Sequence, residues 1–206
     1  MLWDITPPLT PDIRVWPGDT PLSRSVALDI AKGDNITLSS LTATVHLGAH
    51  ADAPSHYGAG GRTIDAQRLA LYIGPCQVLR VHPGRGKRVT TAMLPREVTA
   101  PRGLLRTDTF PDVHHWNEDF AALDPALIDY LGQQGVRLVG IDTPSIDLFE
   151  SKDLPAHASV LEHDMAILEG LRLGDVPDGF YELIALPLPL VGFDASPVRA
   201  VLRPLT

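Results

Sequence analysis

Proline and glycine punctuate this chain from end to end. Nineteen prolines and seventeen glycines stand among 206 residues and are pooled in no single linker. Proline fixes φ and removes a backbone donor, and glycine loses the most conformational freedom on folding. A chain interrupted this often cannot be built from long helices; it must fold as many short elements joined by turns. No composition shift marks a boundary, so the reading is one domain over residues 1–206.

Such a chain still needs a core. Hydrophobic residues make up 44% and charged residues 20%, the balance of an ordinary globular protein. At this size, folding buries about 70% of the unfolded surface, enough to dispense with disulfide staples. Cys76 is the single cysteine, which excludes an intrachain disulfide and suits a reducing compartment. Asp4, Pro7, Pro8, Pro11 and Asp12 occupy the stretch where a signal peptide would need an apolar run. The most apolar tract, residues 183–193, is broken by Pro187, Pro189 and Gly192 and is too short to span a bilayer. The expectation is a soluble, cytoplasmic protein with no membrane partner. A net charge of −8 disfavours nucleic acid, which needs a clustered positive field. The local basic cluster of Arg85, Lys87 and Arg88 reads as a solvated turn.

Short strands are expected at residues 2–5, 25–30, 36–46, 76–81 and 103–106. The pairs 25–30 and 36–46 alternate apolar with small or polar residues, as half-buried strands do. Residues 6–20 form a Pro-rich loop carrying Trp16, and residues 91–98 a short helix. The clearest helix is residues 124–135: Asp124 can cap it, Pro125 suits its first turn, Leu127, Ile128 and Leu131 form a stripe, and Gly135 ends it. A buried strand follows at 136–143, a helix at 159–165, and strands at 181–186 and 198–202. Strands outnumber helices, and the helix-then-strand unit at 124–143 gives a strand-rich α/β domain.

Chemistry concentrates in one segment. Three of the eight histidines fall within eleven residues, with an aspartate among them: His46-Leu-Gly-Ala-His50-Ala-Asp52-Ala-Pro-Ser-His56. On an extended chain these four side chains point the same way; a helix would also join His46 to His50. Pro54 keeps Ala53 out of helical angles, which favours a strand end running into a loop. Gly48 leaves room for something bound between the rings, and Ala49, Ala51 and Ala53 keep the other side small. Imidazole and carboxylate at this spacing suit a divalent first-row metal, zinc by default. A structural zinc site would want four ligands, usually with cysteine, and Cys76 is remote. The segment therefore suits a catalytic metal with a position open to water, whose pKa bound zinc lowers to around 7. Locally, His56 is as able to ligate as its neighbours.

The pattern His-x-Gly-x-His-x-Asp-x-Pro-x-His resembles the signature of the cyclase family of metal-dependent hydrolases, and within it the bacterial kynurenine formamidases (arylformamidases). The likeness extends to Trp3-Asp4-Ile5-Thr6, Val15-Trp16-Pro17-Gly18-Asp19, Gly140-Ile141-Asp142-Thr143-Pro144-Ser145 and Leu154-Pro155-Ala156-His157. Ala49 stands where many members carry threonine. The resemblance implies an α/β domain of the swivelling β/β/α type, usually a homodimer, holding two zinc ions. His46, His50 and Asp52 match ligands of the first ion; Asp52 and His157 match ligands of the second; Glu169 matches a carboxylate contacting both. His56 matches a proton-transfer residue, and Trp16 a position contacting the aryl ring of the substrate. The implied reaction is hydrolysis of N-formyl-L-kynurenine to L-kynurenine and formate in tryptophan degradation. The alternatives are a hydrolase on this scaffold acting on another amide or a lactam such as isatin, or a metal-binding protein without turnover.

Other signals are absent or weaker. There is no Gly-x-Ser-x-Gly elbow and no Gly-rich phosphate loop. His114 and His115 are adjacent, so a strand would point them to opposite faces; they read as surface, as do His82 and His163. The Asn35-Ile36-Thr37 sequon has no consequence in a cytosol.

Overall fold

Local signals mark out the elements, and the computed structural model describes them over residues 1–205. The strands are β1 (Trp3–Asp4), β2 (Ser23–Leu28), β3 (Leu38–Thr42), β4 (His50–Asp52), β5 (Ile73–Arg80), β6 (Arg88–Val89), β7 (Arg102–Arg106), β8 (Ala122–Leu123), β9 (Leu138–Ile141), β10 (Ala166–Glu169), β11 (Gly179–Ile184), β12 (Ala195–Pro197) and β13 (Val201–Pro204). The helices are α1 (Pro54–Tyr57), α2 (Pro125–Gln133) and α3 (Pro155–Glu162). The result is a single mixed α/β domain, rich in strands, as expected.

Nine strands form one sheet in the order β1-β13-β11-β5-β7-β9-β10-β4-β12. Its centre, β5-β7-β9-β10, is parallel, and every other pairing is antiparallel. Parallel neighbours need crossover connections. Here α2 connects β7 to β9 and α3 connects β9 to β10, and the two helices pack together. Alternation along the central strands splits the apolar side chains between two clusters. Cys76, Val78, Leu104, Leu138, Ala166 and Leu168 pack on one face with Ile5, Tyr72 and Leu183. Leu79, Leu105, Val139, Ile141 and Ile167 pack on the other against Leu127, Ile128 and Leu131 of α2 and Ala156 and Val160 of α3.

Helix α2 follows its sequence closely. The Asp124 carboxylate accepts from Ala126 N at 2.9 Å. Gly135 takes φ 85°, the left-handed turn that lets Val136 N reach back to Leu131 O at 3.0 Å.

Elsewhere the fold corrects the sequence reading. Strands β2 and β3 form a separate exposed ribbon instead of a half-buried pair, and β3 stops at Thr42. Nothing among the described residues covers either face of that ribbon. Residues 91–98 form only a 3-10 turn, Thr91–Met93, because Pro95 holds Leu94 before it in extended angles. The helix expected at 159–165 begins earlier, at Pro155, and Met165 is already buried on the way into β10. The closing strand expected at 198–202 starts only at Val201, as β13, and runs on to Pro204, with the short β12 before it. Arg88 is not in a solvated turn: its guanidinium donates to Asp147 Oδ1 at 2.8 Å and Leu123 O at 2.7 Å. His163 is half-buried against Asp129 of α2, 3.2 Å away.

Candidate metal centre

The His46–His56 segment does not run extended throughout. Only His50–Asp52 is strand, as β4; His46 lies in a bend, and His56 sits in the single turn of α1, which Pro54 opens. Ala53 keeps the extended angles that Pro54 requires. Within β4 the alternation holds. Ala51 goes to the core with Ala49 and Ala53, and His50 and Asp52 point the other way.

Gly48 is not glycine to make room for a ligand. It takes φ 57°, and a Cβ there would lie 2.7 Å from Leu9 and 3.3 Å from Pro7 in the Pro-rich loop. Its carbonyl accepts from His50 Nδ1 at 2.9 Å.

Sheet register supplies the distant members. Strand β10 runs antiparallel to β4 with Glu169 opposite His50 and Ile167 opposite Asp52. Directly opposed residues share a face, so Glu169 Oε2 comes within 3.3 Å of His50 Nε2. Its other oxygen, Oε1, accepts from Ile146 N at 2.7 Å. His157 arrives on the first turn of α3. Leu154, before it, has φ 44° and no capping side chain. Asp147 caps from a distance instead, accepting from Ala156 N and His157 N, each at 3.1 Å. The same carboxylate oxygen accepts a hydrogen bond from His157 Nδ1 at 2.9 Å, turning His157 Nε2 toward Asp52 Oδ2 (3.5 Å) and Glu169 Oε1 (3.6 Å). His46 Nδ1 lies 3.1 Å from Asp52 Oδ1.

The five residues expected as ligands thus converge, and the donor set suits a cation. His50, Asp52, His157 and Glu169 are all at least 97% buried. His50 Nε2, His157 Nε2 and both oxygens of Asp52 have no hydrogen-bond partner among the described residues. Leaving a buried polar atom unsatisfied costs about 1–3 kcal/mol, more if charged, so four in one place call for another partner. Two overlapping groups have metal-ligand spacing, His50, Asp52 and Glu169, and His46, Asp52 and His56. The field has the matching sign. Burial disfavours the Asp52 charge, yet His157 and His46 hold its carboxyl well below the ordinary value. Burial opposes protonation of His46 and His157, yet neighbouring carboxylates raise them to about 9 and about 10. Each inward nitrogen is selected by a hydrogen bond at the opposite one, as in metal sites generally.

Above this centre lies a cavity of about 920 Å³ lined by His46, His50, His56, His157, Glu169 and Trp16. Asp108, Asp142 and Glu169 stand at or just past the carboxyl ends of β7, β9 and β10, where open α/β sheets bind ligands. Asp142, whose carboxyl burial pushes upward, ties two of these ends together, accepting from Thr107 N, Thr107 Oγ1 and Asp108 N at 2.7–2.9 Å. Trp16 belongs to an aromatic wall. Its ring lies 5.0 Å from Phe149 and 5.4 Å from Trp116, centroid to centroid. His114, read as surface, also lines the cavity and pairs with Asp12 at 3.3 Å.

Sequence reasoning missed Asp147, Arg88 and Asp194. Asp147 carried one weak signal, a carboxylate eight residues before Pro155, the first residue of α3. Asp194 carried none, because only the β12–β4 pairing brings it to the site.

Solved structures share this architecture. A "predicted metal-dependent hydrolase" from Bacillus stearothermophilus is 30% identical with a TM-score of 0.81, over 98% of this chain and 97% of that one. A "potential metal-dependent hydrolase with cyclase activity" is 29% identical with a TM-score of 0.83, over 98% and 96%. Isatin hydrolase A from Labrenzia aggregata shares the fold, at 21% identity and a TM-score of 0.82, over 98% and 93%. Fold and site together define the class, a metal-dependent hydrolase. The family model described as "Putative cyclase" matches residues 3–148, well over half the chain. The chain belongs to the cyclase family.

Proposed function

We propose that this protein hydrolyses N-formyl-L-kynurenine to L-kynurenine and formate, using two zinc ions. The observation that carries the metal part is the convergence of buried, hydrogen-bond-free atoms of His50, Asp52 and His157 beside Glu169. His46, His50 and Asp52 would hold one ion and Asp52 and His157 the other, with Glu169 reaching both. When bound, such a pair lowers the pKa of water and polarises a carbonyl oxygen. The aryl-substrate part is supported by Trp16 and Trp116, which line the same cavity as the metal centre with Phe149 packed against Trp16; an indole face there can stack on an aniline ring.

The protein's own groups do the rest. Trp16 holds the ring so that the formyl group faces the carboxylates. His56, at the cavity edge with its side chain 35% exposed, is placed to protonate the departing anilinic nitrogen. Water adds its oxygen to the formyl carbon, the C–N bond breaks with its electron pair on nitrogen, and formate and the arylamine leave. The exposed β2–β3 ribbon supports a homodimer, which light scattering would test. Among the described residues no helix is long and apolar enough to cross a membrane, and a lone thiol at Cys76 suits the cytoplasm.

Elemental analysis coupled to formate release, before and after chelation, tests the reading. Expected are stoichiometric metal, turnover of formylkynurenine, and loss of turnover on chelation. The fold shared with isatin hydrolase supports a second reading, lactam opening. A preference for isatin over formylkynurenine by orders of magnitude would decide for it.

A further inference from the structure

At the rim of the centre, one carboxylate oxygen faces two histidines with different proposed duties. Asp194 Oδ2 lies 3.0 Å from His46 Nε2 and 3.1 Å from His56 Nδ1. The two imidazole centroids are 4.2 Å apart. An ionised carboxylate accepts and cannot donate, so both nitrogens facing it carry their protons. In the neutral rings this leaves His46 Nδ1 and His56 Nε2 as the unprotonated atoms. The first is the atom 3.1 Å from Asp52 Oδ1, inside the centre. The second belongs to the ring that lines the cavity. His50 and His157 are pinned the opposite way, at Nδ1, by Gly48 O and Asp147.

We propose that Asp194 is a positioning residue, holding His46 in the tautomer that offers Nδ1 to the metal centre and His56 in the tautomer that offers Nε2 to the leaving group. The assignment rests on the hydrolase reading above. The backbone around Asp194 is built for this duty. Its carbonyl accepts from Ala53 N at 2.8 Å, and the preceding Phe193 carbonyl accepts from Ile64 N at 2.9 Å. The next residue, Ala195, is the register partner of Asp52 on the neighbouring strand. The carboxylate is therefore carried on backbone bonded directly to β4 and to the residues that lead into α1. Its side chain is 45% exposed, so the core does not depend on it.

The consequence concerns proton delivery. Neutral His56 takes up at Nε2 the proton that the attacking water gives up, and as the C–N bond breaks with its electron pair on nitrogen, the imidazolium so formed gives that nitrogen the Nε2 proton. The Nδ1 proton stays hydrogen-bonded to Asp194 throughout. His56 ends in the neutral tautomer in which it began, so the cycle closes without another reactant.

The test uses zinc-loaded wild type, Asp194→Ala and Asp194→Asn on N-formylanilides whose rings run from methoxy to nitro. Expected for Asp194→Ala is a loss in kcat of about 10²-fold or more on the methoxy anilide, the scale of general-acid catalysis. The loss should shrink toward the nitro anilide, which leaves without help, and KM should hardly move. A merely structural role would lower all substrates equally. Imidazole ¹⁵N NMR supplies a readout apart from turnover: His56 should be Nδ1-protonated in wild type and mixed in Asp194→Ala. Unchanged tautomers and an unchanged leaving-group dependence in that variant would overturn the assignment. If Asp194→Ala does not fold, the isosteric Asp194→Asn decides in its place, with a smaller effect of the same pattern expected. Wild type that releases no formate from any anilide would sink the hydrolase reading instead, and the NMR comparison would still decide what Asp194 does.

Discussion

Asp52 is the residue on which the centre turns, because it is buried, charged and, among the described residues, without a hydrogen-bond donor to either oxygen. Asn in its place keeps the shape and removes the charge. Asp52→Asn should weaken metal binding by more than the roughly 10–100-fold that changes behind the ligands cost, read by chelator competition. His56→Ala should behave differently, keeping its metal in elemental analysis and losing formate release by about 10²–10⁴-fold. A fully active variant would remove His56 from the mechanism. Cys76 offers a contrast. Burial pushes its thiol up to about 12, so near pH 8 the reactive thiolate is scarce and the side chain enclosed. Native protein should resist thiol reagents at that pH and react stoichiometrically once unfolded; rapid labelling of the native protein would contradict the placement. Part of the centre was legible at this scale. His46, His50, Asp52 and His56 announce themselves by spacing, since three imidazoles and a carboxylate within eleven residues form a donor set that a cation satisfies. His157 and Glu169 came only through resemblance, because one histidine or one glutamate has no local signature of ligation.

Two elements owe their form to contacts far away in the chain. Helix α3 follows directly on a residue with positive φ, Leu154, and takes its cap from Asp147, which also orients His157 and pairs with Arg88. Removing one partner of a buried pair leaves the other uncompensated, at about 3–5 kcal/mol. Asp147→Ala should show a loss of this order in urea unfolding and should bind metal more weakly, since His157 loses its orientation. The end of β10 is similarly exacting. Gly170 takes φ 63°, and a Cβ on it would lie 2.1 Å from the Gly48 carbonyl oxygen, the acceptor for His50 Nδ1. Gly170→Ala therefore adds backbone strain of about 1–3 kcal/mol and pushes apart the two segments that carry His50 and Glu169. A lower unfolding midpoint together with weaker metal binding is expected; an unchanged metal affinity would show that the two segments are not coupled. Sequence read α2 well because its cap, stripe and terminating glycine are local. It misread the start of α3 because that cap comes from a carboxylate seven residues before Leu154.

In the whole molecule, binding of the proposed metal would be linked to the stability of the fold. A ligand that binds only the native state at 100 times its Kd adds about 2.7 kcal/mol. At roughly 2–4 °C per kcal/mol for a domain of this size, that is a rise of about 5–10 °C in Tm. Chelation should lower the unfolding temperature by that much and leave a folded protein, because the two apolar clusters do not include the proposed ligands. Collapse of the fold on chelation would mean that the metal is structural. The amino-acid sequence by itself determined the strand-rich α/β character, through prolines and glycines that keep every element short, and the imidazole–carboxylate segment, through spacing along one stretch of chain. Tertiary structure alone decided which carboxylates meet it. Glu169 reaches His50 by the register of β10 on β4, Asp147 reaches His157 by capping a helix it does not belong to, and Asp194 reaches two imidazoles by the pairing of β12. Register and capping at a distance are set by the packing of the whole sheet, so no local pattern of residues encodes them.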